Sequence, residues 1–332
     1  GLSGAGESLR IQDKGSECKM ERFYQNTAAR VFLALVCCAL WGSAFPCVKI
    51  GYEMFQVEGA GSQILFAGYR FFLAGVLTFI LACALERRLV VIRRSSLPYV
   101  FGQGILQTTV QYVCFYIGLS NTTGAKGSVI NASNAFFAIL VAHFLMKSEK
   151  ITWQKAVGCV IGFAGVIVIN LAPGGLGGGF HLAGEGLILL CSFAYGTSSV
   201  TLKLISDRES PAAITAYQLL FGGALLILIG VLAGGQVGHF TPSSILLLIY
   251  LALLSTIAFT LWAELLKYNP VGKATVFGFS IPVFGVALSA LLLGEDIFRL
   301  QNLAALALVS LGIVVVNLQT GKPAEALQNE AG

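Results

Sequence analysis

Cys37-Cys38-Ala39-Leu40-Trp41-Gly42-Ser43, followed by Lys49, and Cys191-Ser192-Phe193-Ala194-Tyr195-Gly196-Thr197, followed by Lys203, are two versions of one segment. Trp41/Tyr195, Gly42/Gly196, Ser43/Thr197 and Lys49/Lys203 align at a single offset. The correspondence continues outward. Tyr69-Arg70-Phe71-Phe72-Leu73-Ala74-Gly75 aligns with Tyr217-Gln218-Leu219-Leu220-Phe221-Gly222-Gly223. Asn121 and Gly124 align with Asn269 and Gly272, and Glu149 aligns with Glu295 after a two-residue slip. An aromatic-Gly-hydroxyl triplet followed by Lys is not generic apolar sequence, so the chain reads as a duplication.

Each repeated segment lies in an apolar stretch. Of 332 residues, 56% are apolar and only 11% are Asp, Glu, Lys or Arg, against roughly 25% charged in a soluble domain. So few charges cannot cover a soluble globule of this size, and a disordered chain needs low hydrophobicity. Apolar stretches run roughly over 31–50, 60–84, 97–119, 123–146, 155–172, 184–205, 211–233, 244–266, 273–293 and 301–318. One crossing takes about 20 apolar residues, and in lipid every backbone group must be paired within its segment. These runs are apolar on both parities, which excludes a barrel. The expected fold is an all-α polytopic membrane protein of ten transmembrane helices. Five spans per copy is an odd number, so the second copy is expected to enter the bilayer in the opposite sense: two inverted-topology five-helix repeats. The expected organisation is a cytoplasmic N-terminal tail over 1–29, repeats over 30–172 and 184–318, an external Gly-rich linker over 173–183, and a cytoplasmic C-terminal tail over 319–332. Met20 could open the natural chain, and residues 1–19 carry no functional signal.

Charge sets the orientation. With the N-terminus inside, the inner segments hold Arg10, Lys14, Lys19, Arg22, Arg30, Arg87, Arg88, Arg93, Arg94, Lys147, Lys150, Lys155, Lys203, Arg208, Lys267, Lys273 and Lys322. Only Lys49, Lys126 and Arg299 fall outside, and Arg70 lies within a span. That bias puts both termini in the cytoplasm. The net charge of +5 reflects these loops and not a nucleic-acid surface, since no basic run carries interleaved aromatics. The eight Cys form no C-x-x-C pair and read as small apolar packing residues. No H-E-x-x-H or paired-Asp constellation occurs, and His143, His181 and His239 lie in different segments. Neither an enzyme, a metal nor a cofactor is expected.

Leu40-Trp41-Gly42-Ser43-Ala44-Phe45 with Lys49 resembles the opening of EamA-type proteins of the drug/metabolite transporter superfamily. So do Arg70 with Ala74-Gly75, Pro282 before a long apolar run, Gly294-Glu295, and Gly312 in the last span. The resemblance covers residues 30–318. It implies ten helices, alternating access, and export of amino acids or other small metabolites and drugs from the cell, across the inner membrane of a bacterium. The first copy departs from the pattern at Asn134, where Pro is expected opposite Pro282. That departure predicts a fourth helix less kinked than the ninth.

Polar side chains are costly in hydrocarbon, so a polar face marks either a cavity or a helix contact. Gln103, Gln107 and Gln111, spaced four apart, make the clearest such face and are read as a cavity wall, with amide pairing between helices as the rival. Asn131, Asn134, Thr256 and Thr260 extend the candidate substrate-binding set. Trp41 and Tyr195, repeat partners, are expected to flank one central cavity. Gly42, Gly196, Pro46 and Pro282 are the expected hinges. Arg70 could grip a substrate carboxylate, but a latch onto backbone carbonyls is the favoured reading. Glu264 could carry a coupling proton, although its place near a helix end beside Lys267 favours an ordinary ion pair. A neutral amide- and aromatic-lined cavity suits a zwitterion better than a phosphate. The expected function is export of small polar or amphipathic metabolites, amino acids first, with cationic drug-like or quaternary-amine compounds as the alternative and a channel or intramembrane enzyme as distant rivals. The expected partners are a small-molecule substrate and the bilayer, with the protein acting as a monomer.

Overall fold

The computed structural model describes residues 22–146, 151–171, 180–206, 208–269, 276–296, 298 and 300–317. These residues form helices and connections, with no strand among them. In chain order the rods are α1 (Thr27–Met54), α2 (Gly59–Glu86), α3 (residues 97–120), α4 (Gly124–Leu145), α5 (Trp153–Leu171), α6 (Leu182–Ile205), α7 (Pro211–Leu232), α8 (Pro242–Tyr268), α9 (Ser280–Leu293) and α10 (Leu300–Asn317). By length and composition six described helices can cross a membrane: α1, α2, α4, α6, α7 and the Pro242–Leu265 part of α8. The apolar stretches of α5, α9 and α10 are shorter.

Helix starts follow local chemistry. Asn26 caps α1 by accepting from the Ala28 and Ala29 amides. Thr123 caps α4, accepting from the Lys126 amide. Ser210 and Thr241 cap α7 and α8, each followed by a proline whose missing N–H costs nothing in a first turn.

Two rods are interrupted. Within α3 the Leu97–Gln103 helix passes through a π-helical segment, Gly104–Val110, into the Gln111–Ser120 helix. In α4 the Gly124–Asn131 helix ends and a second starts at Asn134. The expectation of a less kinked fourth helix is therefore corrected: Asn134 stands just past a break that forms without proline. The break is tolerated because the Ser192 hydroxyl of α6 donates to the Asn131 carbonyl it frees, at 3.3 Å. Pro282 sits in the first turn of α9, after a 3₁₀ turn over Val276–Phe279. Pro46 is buried inside α1, which runs on as helix to Met54.

The packing has an exchange rule. α1 packs on α8 and α9, and α6 packs on α3 and α4. α2 packs on α8, and α7 packs on α3. α2 also packs on α7, α4 on α9 and α5 on α10. Swapping the first five rods for the second five maps this set onto itself. The α2–α7 seam carries the rule to single residues. A Cβ added at Gly75 would collide with the Leu220 amide nitrogen, and one at Gly223 with the Phe72 amide nitrogen. Gly75/Gly223 and Phe72/Leu220 are the pairs aligned in sequence. Gly68 meets Ile227 and Gly230 meets Leu65 along the same seam, so the two helices run antiparallel.

The bundle has two chemically distinct ends. At one, α2 and α6 run out into connections bearing Arg87, Arg88, Arg93, Arg94 and Arg208. There Ser210 donates to Glu86 at 2.8 Å and the Arg93 amide to Glu209 at 3.2 Å. At the other end the Phe55 carbonyl accepts from the Gly238 amide, and Glu185 and Glu295 meet the start of α4. Toward this second end lies an aromatic layer built from Tyr52, Phe66, Phe71, Tyr112, Phe115 and Tyr116. The Phe71 and Tyr112 rings sit 3.9 Å apart, and the Tyr52 hydroxyl donates to the Tyr116 carbonyl at 2.6 Å.

Candidate functional site

Arg70 is the deepest charge of the central region, with 2% of its surface exposed. Its Nε donates to the Leu251 carbonyl and to the Ser255 hydroxyl, both at 3.2 Å, and its Nη1 donates to the Tyr116 hydroxyl at 3.1 Å. The guanidinium also lies 4.7 Å from the Phe71 ring centroid. One side chain thus ties α2 to α3 and α8. Five donors in a planar fork suit such multiple attachment, and the partners are neutral, so they leave the charge itself uncancelled. Thr256, one position beyond Ser255, lines the same α2–α8 seam. It donates to the Ala74 carbonyl at 3.1 Å and receives Thr78 at 3.3 Å. Thr260, a turn further on, is buried with its hydroxyl oxygen unpartnered.

The glutamine face is occupied in part by helix contacts. Gln103 Nε2 donates to Gln107 Oε1 at 2.7 Å and to the Ser198 carbonyl of α6 at 2.9 Å. Its Oε1 accepts from Thr201 at 2.5 Å. Gln107 lies in the π-helical stretch and is buried. Gln111 differs from both: it is buried, and its Oε1 has no hydrogen-bond partner. Asn131 turns its side-chain oxygen to Cys191 and Ser192 of α6. Asn134 and Tyr195 are partly buried, with the Tyr195 carbonyl taken by Ser198 and Ser199.

Trp41 meets aromatic partners absent from the sequence reading. Its ring packs edge-on to Phe259 at 5.7 Å and to Trp262 at 5.2 Å, both on α8. Among the described residues no hydrogen bond or ring contact joins Trp41 to Tyr195. The glycines beside them mark helix crossings. A Cβ at Gly42 would lie 2.6 Å from Phe284 Cβ, and one at Gly196 would lie 2.7 Å from the Ala138 amide nitrogen. The two crossings, α1 on α9 and α6 on α4, are again exchange partners. Glu264 is partly buried near the end of α8, and its expected partner Lys267 has a side chain outside the described residues.

The sequence reading missed the buried charge pair at the second end. Lys126 Nζ and Glu185 Oε1 stand 2.9 Å apart, with side chains 1% and 2% exposed. Lys126 had the look of a loop cation. The available signal was Glu185, a carboxylate inside the apolar opening of α6, where an unpaired charge is costly.

Comparisons with known proteins follow the same two-copy division. The EamA-like transporter family matches residues 29–171 and again 182–318. The chain is 25% identical over 290 residues to the uncharacterized transporter YetK of Bacillus subtilis, covering 86% of each chain. It is 27% identical over 297 residues to a protein of Salmonella typhimurium named "Probable amino-acid metabolite efflux pump", covering 86% of this chain and 93% of that one. It is 27% identical over 281 residues to the uncharacterized inner membrane transporter YedA of Escherichia coli, covering 84% and 87%. A solved crystal structure aligns with TM-score 0.65 at 20% identity over 87% of this chain and 96% of the other, a likeness of fold.

Proposed function

The chain belongs to the EamA-like transporter family, and from that premise we propose that it exports small polar or amphipathic metabolites, amino acids first, by alternating access between two inverted five-helix copies. The observation that carries this reading is the exchange rule of the packing. A bundle that maps onto itself when its halves are swapped can open at either end by the same motion. Ten crossings are proposed, with α3, α5, α9 and α10 completing the six long helices. The copies are assigned to 30–172 and 184–318, and the working unit is a monomer.

The arginine end is assigned to the cytoplasm, with both termini, and the Glu185 end to the outside. The inner membrane is the proposed setting, as the printed name of the Escherichia coli relative has it for that protein. Trp41, Tyr195, Gln111, Asn134 and Thr260 are the proposed substrate contacts. Gln111 and Thr260 hold buried oxygens with no protein partner, which a substrate ammonium or hydroxyl could satisfy. Arg70 serves as the latch rather than as a carboxylate grip, because its donors already reach Leu251, Ser255 and Tyr116. The Trp41–Phe259–Trp262 cluster favours, as a second reading, quaternary-amine cargo held by ring faces.

Thermal unfolding of the purified protein across a panel of amino acids and quaternary amines tests the cargo, since only a ligand of the native state raises stability. Stabilisation by zwitterions supports the first reading, stabilisation by quaternary amines alone supports the second, and response to neither class removes both.

A further inference from the structure

We infer that Lys126 and Glu185 form the latch of the outer gate. The inference rests on the alternating-access reading above. Lys126 lies in the first turn of α4, in the first copy, and Glu185 in the π-helical first turn of α6, in the second. The pair therefore bridges the two halves. The carboxylate is fully engaged: Oε1 accepts from Lys126 and from the Thr122 hydroxyl at 2.7 Å, and Oε2 accepts from the His181 amide at 2.7 Å. A second carboxylate of the second copy holds the same helix end. Glu295 accepts from the Gly124 amide at 2.8 Å and the Ala125 amide at 2.9 Å. Glu185 can be satisfied in this way only while the first turns of α4 and α6 stay together, and Glu295 only while the end of α9 stays on the start of α4.

The repeat does not duplicate the pair in sequence. The alignment that pairs Asn121 with Asn269 and Gly124 with Gly272 pairs Lys126 with Ala274. The alignment that pairs Gly196 with Gly42 pairs Glu185 with Val31. In the sequence the aligned positions are thus Ala and Val, with Lys273 and Arg30 as their neighbours. The helix ends beside them are otherwise alike. Asn121 Nδ2 donates to the Ile117 carbonyl at 2.8 Å, and Asn269 Nδ2 donates to the Leu265 carbonyl at 3.0 Å, four residues back in each case. Across from Asn269, among the described residues, Arg30 donates to its side-chain oxygen at 3.4 Å, and Asn269 Nδ2 donates to the Tyr24 carbonyl at 3.1 Å. A charge latch across the outer end biases the transporter toward outer closure. Separating the halves outside exposes two charges that are paired when closed. Neutralising one of them leaves the other buried and uncompensated, which destabilises the closed state.

The test reads outer opening directly. Cys47, buried in α1 on the outer side of Trp41, is kept as reporter, and every other Cys is replaced by Ser. A membrane-impermeant maleimide is applied from outside to cells carrying the protein, and labelling rate is measured alongside the monodispersity of each purified variant. Glu185→Gln is expected to raise labelling about tenfold and Thr122→Val a few-fold, as a shifted closed–open equilibrium requires. The swap Lys126→Glu with Glu185→Lys restores slow labelling. The neutral pair Lys126→Met with Glu185→Gln serves if Glu185→Gln does not fold, and it too labels faster than the parent. Unchanged labelling in the folded Thr122→Val and neutral-pair variants overturns the latch. Counterflow measured on the parent separates this failure from a failure of the transport reading, because the labelling assay needs no substrate.

Discussion

The Glu185 end and the arginine end of the bundle are built on one plan and held differently. Asn121 and Asn269 finish their helices with the same hydrogen bond four residues back. Beside Asn121 stand a buried ion pair and a carboxylate-capped helix; beside Asn269 stand Arg30 and the stacked rings of Tyr24 and Tyr268, 5.5 Å apart. The duplication conserves the scaffold, meaning glycine crossings and the order of packing. Charge is where the copies part. In the sequence Arg70 of the first copy aligns with Gln218 of the second, Lys126 with Ala274, and Glu185 with Val31.

The largest effect that could break this comparison is at Arg70. Arg70→Ala leaves the Ser255 hydroxyl, the Leu251 carbonyl and the Tyr116 hydroxyl without their shared donor, a loss on the order of 3 kcal/mol. Arg70→Gln, which copies the second half into the first, is expected to retain part of that stability. Thermal unfolding in detergent checks both, and an Arg70→Gln protein no better than Arg70→Ala would mean the two copies are not interchangeable at this position.

Gly75→Ala and Gly223→Ala come next. Each added Cβ meets a backbone nitrogen across the α2–α7 seam, so each is expected to cost about 1–3 kcal/mol. The sharper expectation is equality. Two clearly different losses of stability would show that the seam is not reciprocal.

Trp41→Ala is expected to lower transport about tenfold, the equivalent of roughly 1.4 kcal/mol, and Tyr195→Ala only a few-fold. Trp41 has the larger ring and two aromatic partners on α8. No hydrogen bond or ring contact joins the two among the described residues, and non-additivity of the double mutant is the expected sign of shared substrate. Simple addition with unaltered affinity would make Trp41 a packing residue.

The smallest effects are at the glutamines. Gln103→Leu is expected to lose about 1 kcal/mol of stability with substrate affinity unchanged, since its amide is bonded to α6. Gln111→Leu should weaken substrate stabilisation a few-fold and leave the fold intact. The reverse pattern would move the cavity to the Gln103 end of α3.

The all-helical membrane class, the two-copy division and the family were legible because lipid demands long apolar helices, six of which are described, and because Trp41-Gly42-Ser43 and Tyr195-Gly196-Thr197 keep a local pattern. The interruption at Ala132–Ser133 was not legible. Proline is the local sign of a break, whereas here it is stabilised by Ser192, some 60 positions away in the chain. The four-residue spacing of Gln103, Gln107 and Gln111 announced a polar face but not what that face meets, because spacing fixes direction on one helix and the neighbour comes from packing. Lys126–Glu185 was hidden for the same reason. Each charge alone looks like a span edge, and only the folded bundle puts them 2.9 Å apart.

Counterflow in proteoliposomes tests the central claim most directly. Vesicles loaded with an unlabelled amino acid that stabilises the protein, then given the labelled compound outside, report whether one site is exposed alternately to the two faces. The account predicts saturable uptake, accelerated several-fold by internal substrate and abolished in Arg70→Ala. Flux that rises linearly with concentration and ignores the internal load would contradict it, and would leave a pore in place of two exchanging gates.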